Sequence, residues 1–432
     1  MKQYLYTIRI GVILLITTIF TACSNEDTAT DNPFVANTYS LTINASKGED
    51  DTRALSLDGT KLNATWTVDE AVTVYNNTKS AELSGTLKAK KAGSSTTLSG
   101  SLSGSIEVGD VLTLKFCSDN NYHSQGGTLD YIASHCDYAT ATVTVAAISG
   151  GNISINESAA SFKNQQAIVK FTLKDKADGT TALNATSLVV TVGSSTKYTV
   201  TPTATASDLF VAIPGISGEN VTLSAKVGSD TYTYNKTGVT FENGKYYTIG
   251  VKMTRQANSA DLGKVIAQNG CIYNDASAAT KAGTVAAGMI AYLDSASNCA
   301  HGLAIALADE NDEISFSEAS TAASQKNTAL PVVGGTWRIP SKEDWQNMFI
   351  ACRKEDDASA PDNDMKIAGF QEKISSVGTG FTNGTTYWTS TDRTSTDSPS
   401  AFCVYFSDTT QASFQGKQDK SEYYNVRAVL AF

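Results

Sequence analysis

The chain has 432 residues, with 33 Lys and Arg against 43 Asp and Glu and a formal net charge of −10 at pH 7. That balance excludes the clustered basic surface on which affinity for nucleic-acid phosphates depends. Charged residues at 18% and hydrophobic residues at 41% exclude both a charge-rich disordered chain and a polytopic membrane protein.

Taken in chain order, Met1–Cys23 comes first. Lys2 and Arg9 form a positive start, Ile10–Ile16 with Ile19 and Phe20 form an apolar core, and Phe20-Thr21-Ala22-Cys23 closes it. This is the layout of an export signal over 1–22. Its end resembles a bacterial lipobox, which implies cleavage before Cys23 and acylation of that thiol; a plain signal peptide is the simpler alternative. Residues 23–36 are polar and read as a tether, and Ser24-Asn25-Glu26-Asp27 is similar to an outer-surface export signal.

From Tyr39 the pattern has period two. Tyr39-Ser40-Leu41-Thr42-Ile43, Val72-Thr73-Val74-Tyr75 and Val111-Leu112-Thr113-Leu114-Lys115-Phe116 each alternate apolar and polar residues, with turns such as Lys91-Ala92-Gly93-Ser94 between strands. These predict a first β-sandwich over 37–158. A second set runs from Ala167-Ile168-Val169-Lys170-Phe171 to Lys245-Tyr246-Tyr247-Thr248-Ile249 and predicts another sandwich over 159–256. After a polar break at Arg255–Ala260 the style changes. Over 262–432, Ser341 precedes acids in a first helical turn, with Trp345, Met348 and Phe349 at helical spacing. Tyr424–Phe432 reads as one closing strand.

Beyond Cys23 six cysteines remain, an even number that an exported chain can oxidise. Sequence order suggests Cys117–Cys136, Cys271–Cys299 and Cys352–Cys403, among several possible connectivities. The first would close a loop of about 20 residues and stabilise by ~3 kcal/mol. His123 and His135 beside Cys117 and Cys136 raise a zinc alternative, although no common zinc spacing is present. Gly-x-Ser-x-Gly, His-Glu-x-x-His and phosphate-loop motifs are absent, and no catalytic residue, metal or cofactor is expected. Asp309-Glu310-Asn311-Asp312-Glu313 could offer oxygen ligands to calcium but lacks the spacing of a calcium loop and reads first as a solvated turn.

Residues 23–253 resemble the fimbrillin-type pilins of Gram-negative bacteria. The resemblance rests on the lipobox at Cys23, the tether, two consecutive sandwich patterns and Asp50-Asp51-Thr52-Arg53-Ala54 after the first strand. Lys163-Asn164-Gln165-Gln166-Ala167-Ile168-Val169 and Phe241-Glu242-Asn243-Gly244-Lys245-Tyr246-Tyr247 add to it. It implies two transthyretin-like pilin sandwiches and an outer-membrane lipoprotein precursor. It also implies proteolysis between Arg53 and Ala54, and a fibre whose subunits complete one another by donor-strand exchange. Residues 262–432 resemble the lectin-like modules of bacterial surface proteins, related in fold to C-type lectins. The carrying residues are Gly334-Gly335-Thr336-Trp337-Arg338-Ile339-Pro340-Ser341, Tyr387-Trp388-Thr389-Ser390-Thr391 and Val426-Arg427-Ala428-Val429. This implies an α+β adhesive domain, with Trp388, Asp392, Arg393 and Asp397 as a candidate loop for a host or bacterial glycan or protein; packing is the plainer role for Trp388. The expectation is a mainly β fimbrial subunit at the tip of a fibre on the cell surface, whose partners are other subunits. The alternative is an outer-surface lipoprotein that binds glycan or protein without polymerising.

Overall fold

The computed structural model describes residues 37–47, 56–58, 61–63, 65–117, 122–294, 302–354, 364–393 and 400–432. The expected export signal, Cys23, Arg53, Ala54, Cys299 and Asp397 lie outside the described residues. The protein is mostly β, in two strand-rich units and a third, smaller α+β unit.

The first unit is an eight-stranded sheet that closes on itself, and the N-terminal strand Thr38–Lys47 makes the closure. One edge of this strand runs antiparallel to Ser95–Ser103, from Thr38 opposite Ser103 to Ser46 opposite Ser95. Its other edge runs parallel to Asn152–Ile155 and then to Ala160–Asn164. The period-two pattern explains its seating. Tyr39, Leu41, Ile43 and Ala45 are buried, while Ser40, Thr42 and Asn44 between them are exposed. Glycine is required where two neighbouring strands approach most closely. A Cβ on Gly100, which lies opposite Leu41, would sit 2.1 Å from the Thr86 carbonyl oxygen.

The chain leaves this unit before completing it. After Val111–Phe116, residues Tyr122, Ile132 and Cys136 are buried in the core of the second unit. The short helix Leu129–His135 is capped by the Thr128 hydroxyl, which accepts from the Tyr131 N–H. The buried Gln125 amide fastens the excursion: it donates to the Tyr122 and Ala212 carbonyls and accepts from the Ala212 N–H, each at 2.8 Å. The chain then returns to the first sheet with Ala139–Ser149, Asn152–Ile155 and Ala160–Asn164. The last of these strands belongs to the first sheet although it follows residue 158.

In the second unit Ala167–Asp175 lies between Asp208–Ile213, antiparallel, and Tyr246–Arg255, parallel. A further antiparallel group is built on Ser187–Val192, Ile216–Val227 and Asp230–Phe241. The polar break at Arg255–Ala260 is an ordered junction. The Arg255 guanidinium grips the buried Asp261 carboxylate in two bonds of 2.7 and 2.9 Å, and Lys264 adds a third at 2.9 Å.

The third unit carries two six-stranded sheets and the helices Phe316–Ala329, Lys342–Ala351 and Ala368–Val377. The helix expected after Pro340 forms as its caps dictate. Ser341 Oγ accepts from the Asp344 N–H at 3.0 Å, the Asp344 carboxylate accepts from the Ser341 N–H at 2.6 Å, and Trp345, Met348 and Phe349 are buried. The closing strand differs from expectation. It breaks at Arg427 into Tyr423–Val426 and Val429–Ala431, which belong to different sheets. The reason is that Arg427 turns inward. Its Nε donates to Asp309 at 2.5 Å and one terminal nitrogen to the Thr379 carbonyl at 2.6 Å, with the guanidinium over the Phe381 ring.

Candidate functional site

The N-terminal strand and its groove form the candidate site. On the inner side, Tyr39, Leu41, Ile43 and Ala45 join a core that includes Leu98, Leu102, Ile153, Ala160 and Phe162. Trp66 anchors that core with its ring edge-on to Phe116 and Phe162. On the outer side only small polar contacts occur. Thr42 Oγ1 donates to Ser99 Oγ at 3.1 Å, and Thr97 Oγ1 donates to Asn44 Oδ1 at 3.3 Å. The strand is thus held by two backbone ladders and one row of apolar side chains. Burying Tyr39, Leu41 and Ile43 is worth about 2 kcal/mol apiece, and Ala45 less. Such a seat recognises a pattern of alternate side chains on an extended backbone, which is the basis of recognition by strand addition. Loss of the strand would leave unpaired backbone groups on both Ser95–Ser103 and the Asn152–Asn164 edge, beside an apolar trough. Arg53-Ala54 follows the strand's last residue, Lys47, in sequence and precedes Ser56–Asp58.

The expected ligand loop is not assembled as the sequence suggested. Trp388 is fully buried; its Nε1 donates to the Ile314 carbonyl at 2.9 Å, and its ring packs edge-on with Phe316 and Tyr424. It is core and offers no platform to a ligand. Asp392 is exposed and pairs with Lys420 at 2.5 Å. The backbone of Arg393 pairs with Ser400, its side chain is not described, and Asp397 lies outside the described residues. The first two acids of the run are committed internally. Asp309 accepts from Arg427 and from the Tyr387 hydroxyl, and Glu310 accepts from Lys326 at 2.8 and 2.9 Å.

Cys136, Cys271, Cys352 and Cys403 are buried thiols, and Cys299, the expected partner of Cys271, lies outside the described residues, so the pairings suggested by sequence order stay an expectation. Cys352 ends the helix Lys342–Ala351 and donates to the Ala291 carbonyl in one core cluster, whereas Cys403 faces Trp388 across a ladder in another. Cys117 follows the last rung of a ladder, Phe116 opposite Ala139, and packs against the first core, and it lies near Cys136, which is buried in the second. Burial pushes the Cys136 and Cys352 thiols up to about 12 and Cys271 up to about 11; Cys117 and Asp137 nearby add to the rise at Cys136. His123 Nδ1 lies 2.9 Å from the Lys197 carbonyl and His135 stacks on Tyr131. Among the described residues no group of three or more His, Cys, Asp or Glu is placed to hold a metal ion.

One feature of the third unit had no signal in the sequence reading. A cleft of about 430 Å³ opens between the helix Lys342–Ala351 and the sheet that carries Ala286–Leu293, Gly302–Ala306 and Val429–Ala431; Tyr292, Asp294, Asp344, Asn347 and Phe432 line it.

No protein-family model matches the chain, and no curated protein matches it. Among solved structures it is similar to a fimbrial protein from Bacteroides ovatus, at 13% identity and a TM-score of 0.30, over 92% of this chain and 100% of that one. It is similar to a fimbrial assembly protein from Parabacteroides distasonis, at 12% identity and a TM-score of 0.27, over 51% of this chain and 96% of that one. It is also similar to a tip fimbrial protein from Porphyromonas gingivalis with C-terminal truncation, at 10% identity and a TM-score of 0.26, over 50% of this chain and 95% of that one.

Proposed function

We propose that this chain is a fimbrial subunit made as a lipoprotein on Cys23 and cut between Arg53 and Ala54, after which the strand of another subunit takes the place of Thr38–Lys47. One observation carries the reading: the strand that closes the first sheet lies N-terminal to Arg53 in the sequence, so a single cut there severs it from the rest of the unit. The vacated trough would expose the inward residues of its neighbours, and an incoming strand with apolar residues at alternate positions would restore both ladders. Val429–Ala431 is paired on both edges, to Gly302–Ala306 and Thr336–Arg338, and is not available for donation. This supports a place at the tip, with residues 262–432 facing outward as the adhesive part.

The test is N-terminal sequencing of the protein from fibres, together with Arg53→Ala. An N-terminus at Ala54, and retention of the variant on the cell as a full lipidated form outside fibres, is the expected result. Normal incorporation of Arg53→Ala, or a lipid-blocked Cys23 on the fibre-borne protein, would refute processing at Arg53, and absence of the protein from fibres would leave a surface lipoprotein that does not polymerise.

A further inference from the structure

The cleft of the third unit combines groups seldom brought together by chance. Asp344 and Asn347 come from successive turns of one helix, Tyr292 and Asp294 from the end of one strand, Leu303 from the start of the next, and Phe432 from beyond the last. The Phe432 ring packs close to Gly302, where a Cβ would come within 2.6 Å of its Cζ. Two bonds hold that arrangement, Gly302 N–H to the Phe432 carbonyl at 2.7 Å and the reverse at 3.1 Å. The ring remains half-exposed and lines the cleft together with Leu303. The Asn347 amide and the Tyr292 hydroxyl, both half-buried, make no hydrogen bond among the described residues.

We infer that this cleft binds an uncharged saccharide. A pyranose presents a face of C–H groups and a rim of hydroxyls that both donate and accept. A half-exposed ring beside Leu303 suits the face, while the Asn347 amide and the Tyr292 phenol suit the rim. Charge argues against anionic ligands. Asp294 and Asp344 line the cleft, and the neighbouring cation, Arg338, is already held by both oxygens of Asp344. The volume is within the range of small-molecule sites and suits one or two sugar units.

This inference rests on the adhesive role proposed for residues 262–432 and is independent of strand exchange. The test is an array bearing neutral hexose and N-acetylhexosamine oligosaccharides beside sialylated and sulfated ones, probed with the full chain, with Asn347→Ala and with Tyr292→Phe. Retention on neutral glycans, at least tenfold weaker for Asn347→Ala and weaker for Tyr292→Phe, with unchanged thermal unfolding of both variants, is the expected result. Retention only on acidic glycans, no retention on any glycan, or equal retention by the folded variants would overturn it. Incorporation of Asn347→Ala into fibres is measured in parallel. Lost glycan binding with normal assembly separates this site from strand exchange, and failed assembly of Arg53→Ala with intact glycan binding separates the two in the other direction.

Discussion

Replacing Leu41 by Ala tests whether the N-terminal strand is an integral wall of the first unit. Leu41 is fully buried, and the residue across the ladder is Gly100, whose backbone is pinned against the Thr86 carbonyl. Neither a side chain nor a backbone shift on that edge can refill the space, so the cost belongs in the middle of the range for buried leucines, about 3–4 kcal/mol. Thr42→Ala is the internal control. It sits one residue along on the exposed face and loses a single solvent-exposed hydroxyl contact to Ser99, worth about 0.5 kcal/mol or less. Hydrogen exchange followed by mass spectrometry on peptides covering Ser95–Ser103 reads the difference locally. At 1.4 kcal/mol per tenfold, Leu41→Ala accelerates exchange there by about two to three orders of magnitude and Thr42→Ala by less than about threefold. Equal protection in the two variants would show that the strand is not seated in the core, and the strand-exchange proposal would fall with it.

Other expectations follow from the same geometry. Asp309→Ala leaves the fully buried Arg427 without its carboxylate and should cost about 3 kcal/mol by urea unfolding, whereas Arg427→Met, which removes the charge, should cost clearly less; the reverse order would refute the account of the strand break. The thiols of Cys136, Cys271 and Cys352 should react slowly with an aromatic disulfide reagent at about pH 8 in the native protein and fast in denaturant, and rapid native labelling would contradict their burial. Because folding raises these thiols above the ordinary value near ~8.5, their contribution is complete below that pH and is lost as pH rises toward about 11–12. The urea midpoint should therefore decline above about pH 9, and a midpoint that rises there would show the sign to be wrong. Gln125→Ala breaks three buried hydrogen bonds and should loosen the excursion by about 2 kcal/mol, read as faster exchange across Tyr122–Cys136.

What the sequence reveals depends on how local the determining contacts are. The helix after Pro340 was legible because Ser341, Asp344 and the Trp345–Phe349 face lie within nine residues, and its caps need nothing from elsewhere. The alternation of Tyr39, Leu41, Ile43 and Ala45 was legible for the same reason. Their closing role was not, because the parallel partners Asn152–Ile155 and Ala160–Asn164 lie more than a hundred residues away. Trp388 looks the same in sequence whether its ring faces ligand or core, and only the bond to the Ile314 carbonyl decides. The closing strand was misread because nothing in Val426-Arg427-Ala428 announces that the guanidinium turns inward to Asp309, 118 positions earlier. The cleft draws on five separated segments and has no pattern of its own in the chain.

The excursion of Tyr122–Cys136 into its neighbour has a consequence for how the molecule is made. A chain made in order from its N-terminus delivers this segment before the strands from Ala167 onward exist to receive it, and before the first sheet has its last three strands. The first sheet can close once Ala160–Asn164 has appeared, but the excursion has no complete core to enter until Tyr246–Arg255 has been made. Until then Tyr122, Ile132 and Cys136 have no core to enter, so an incomplete chain holds apolar groups open to aggregation.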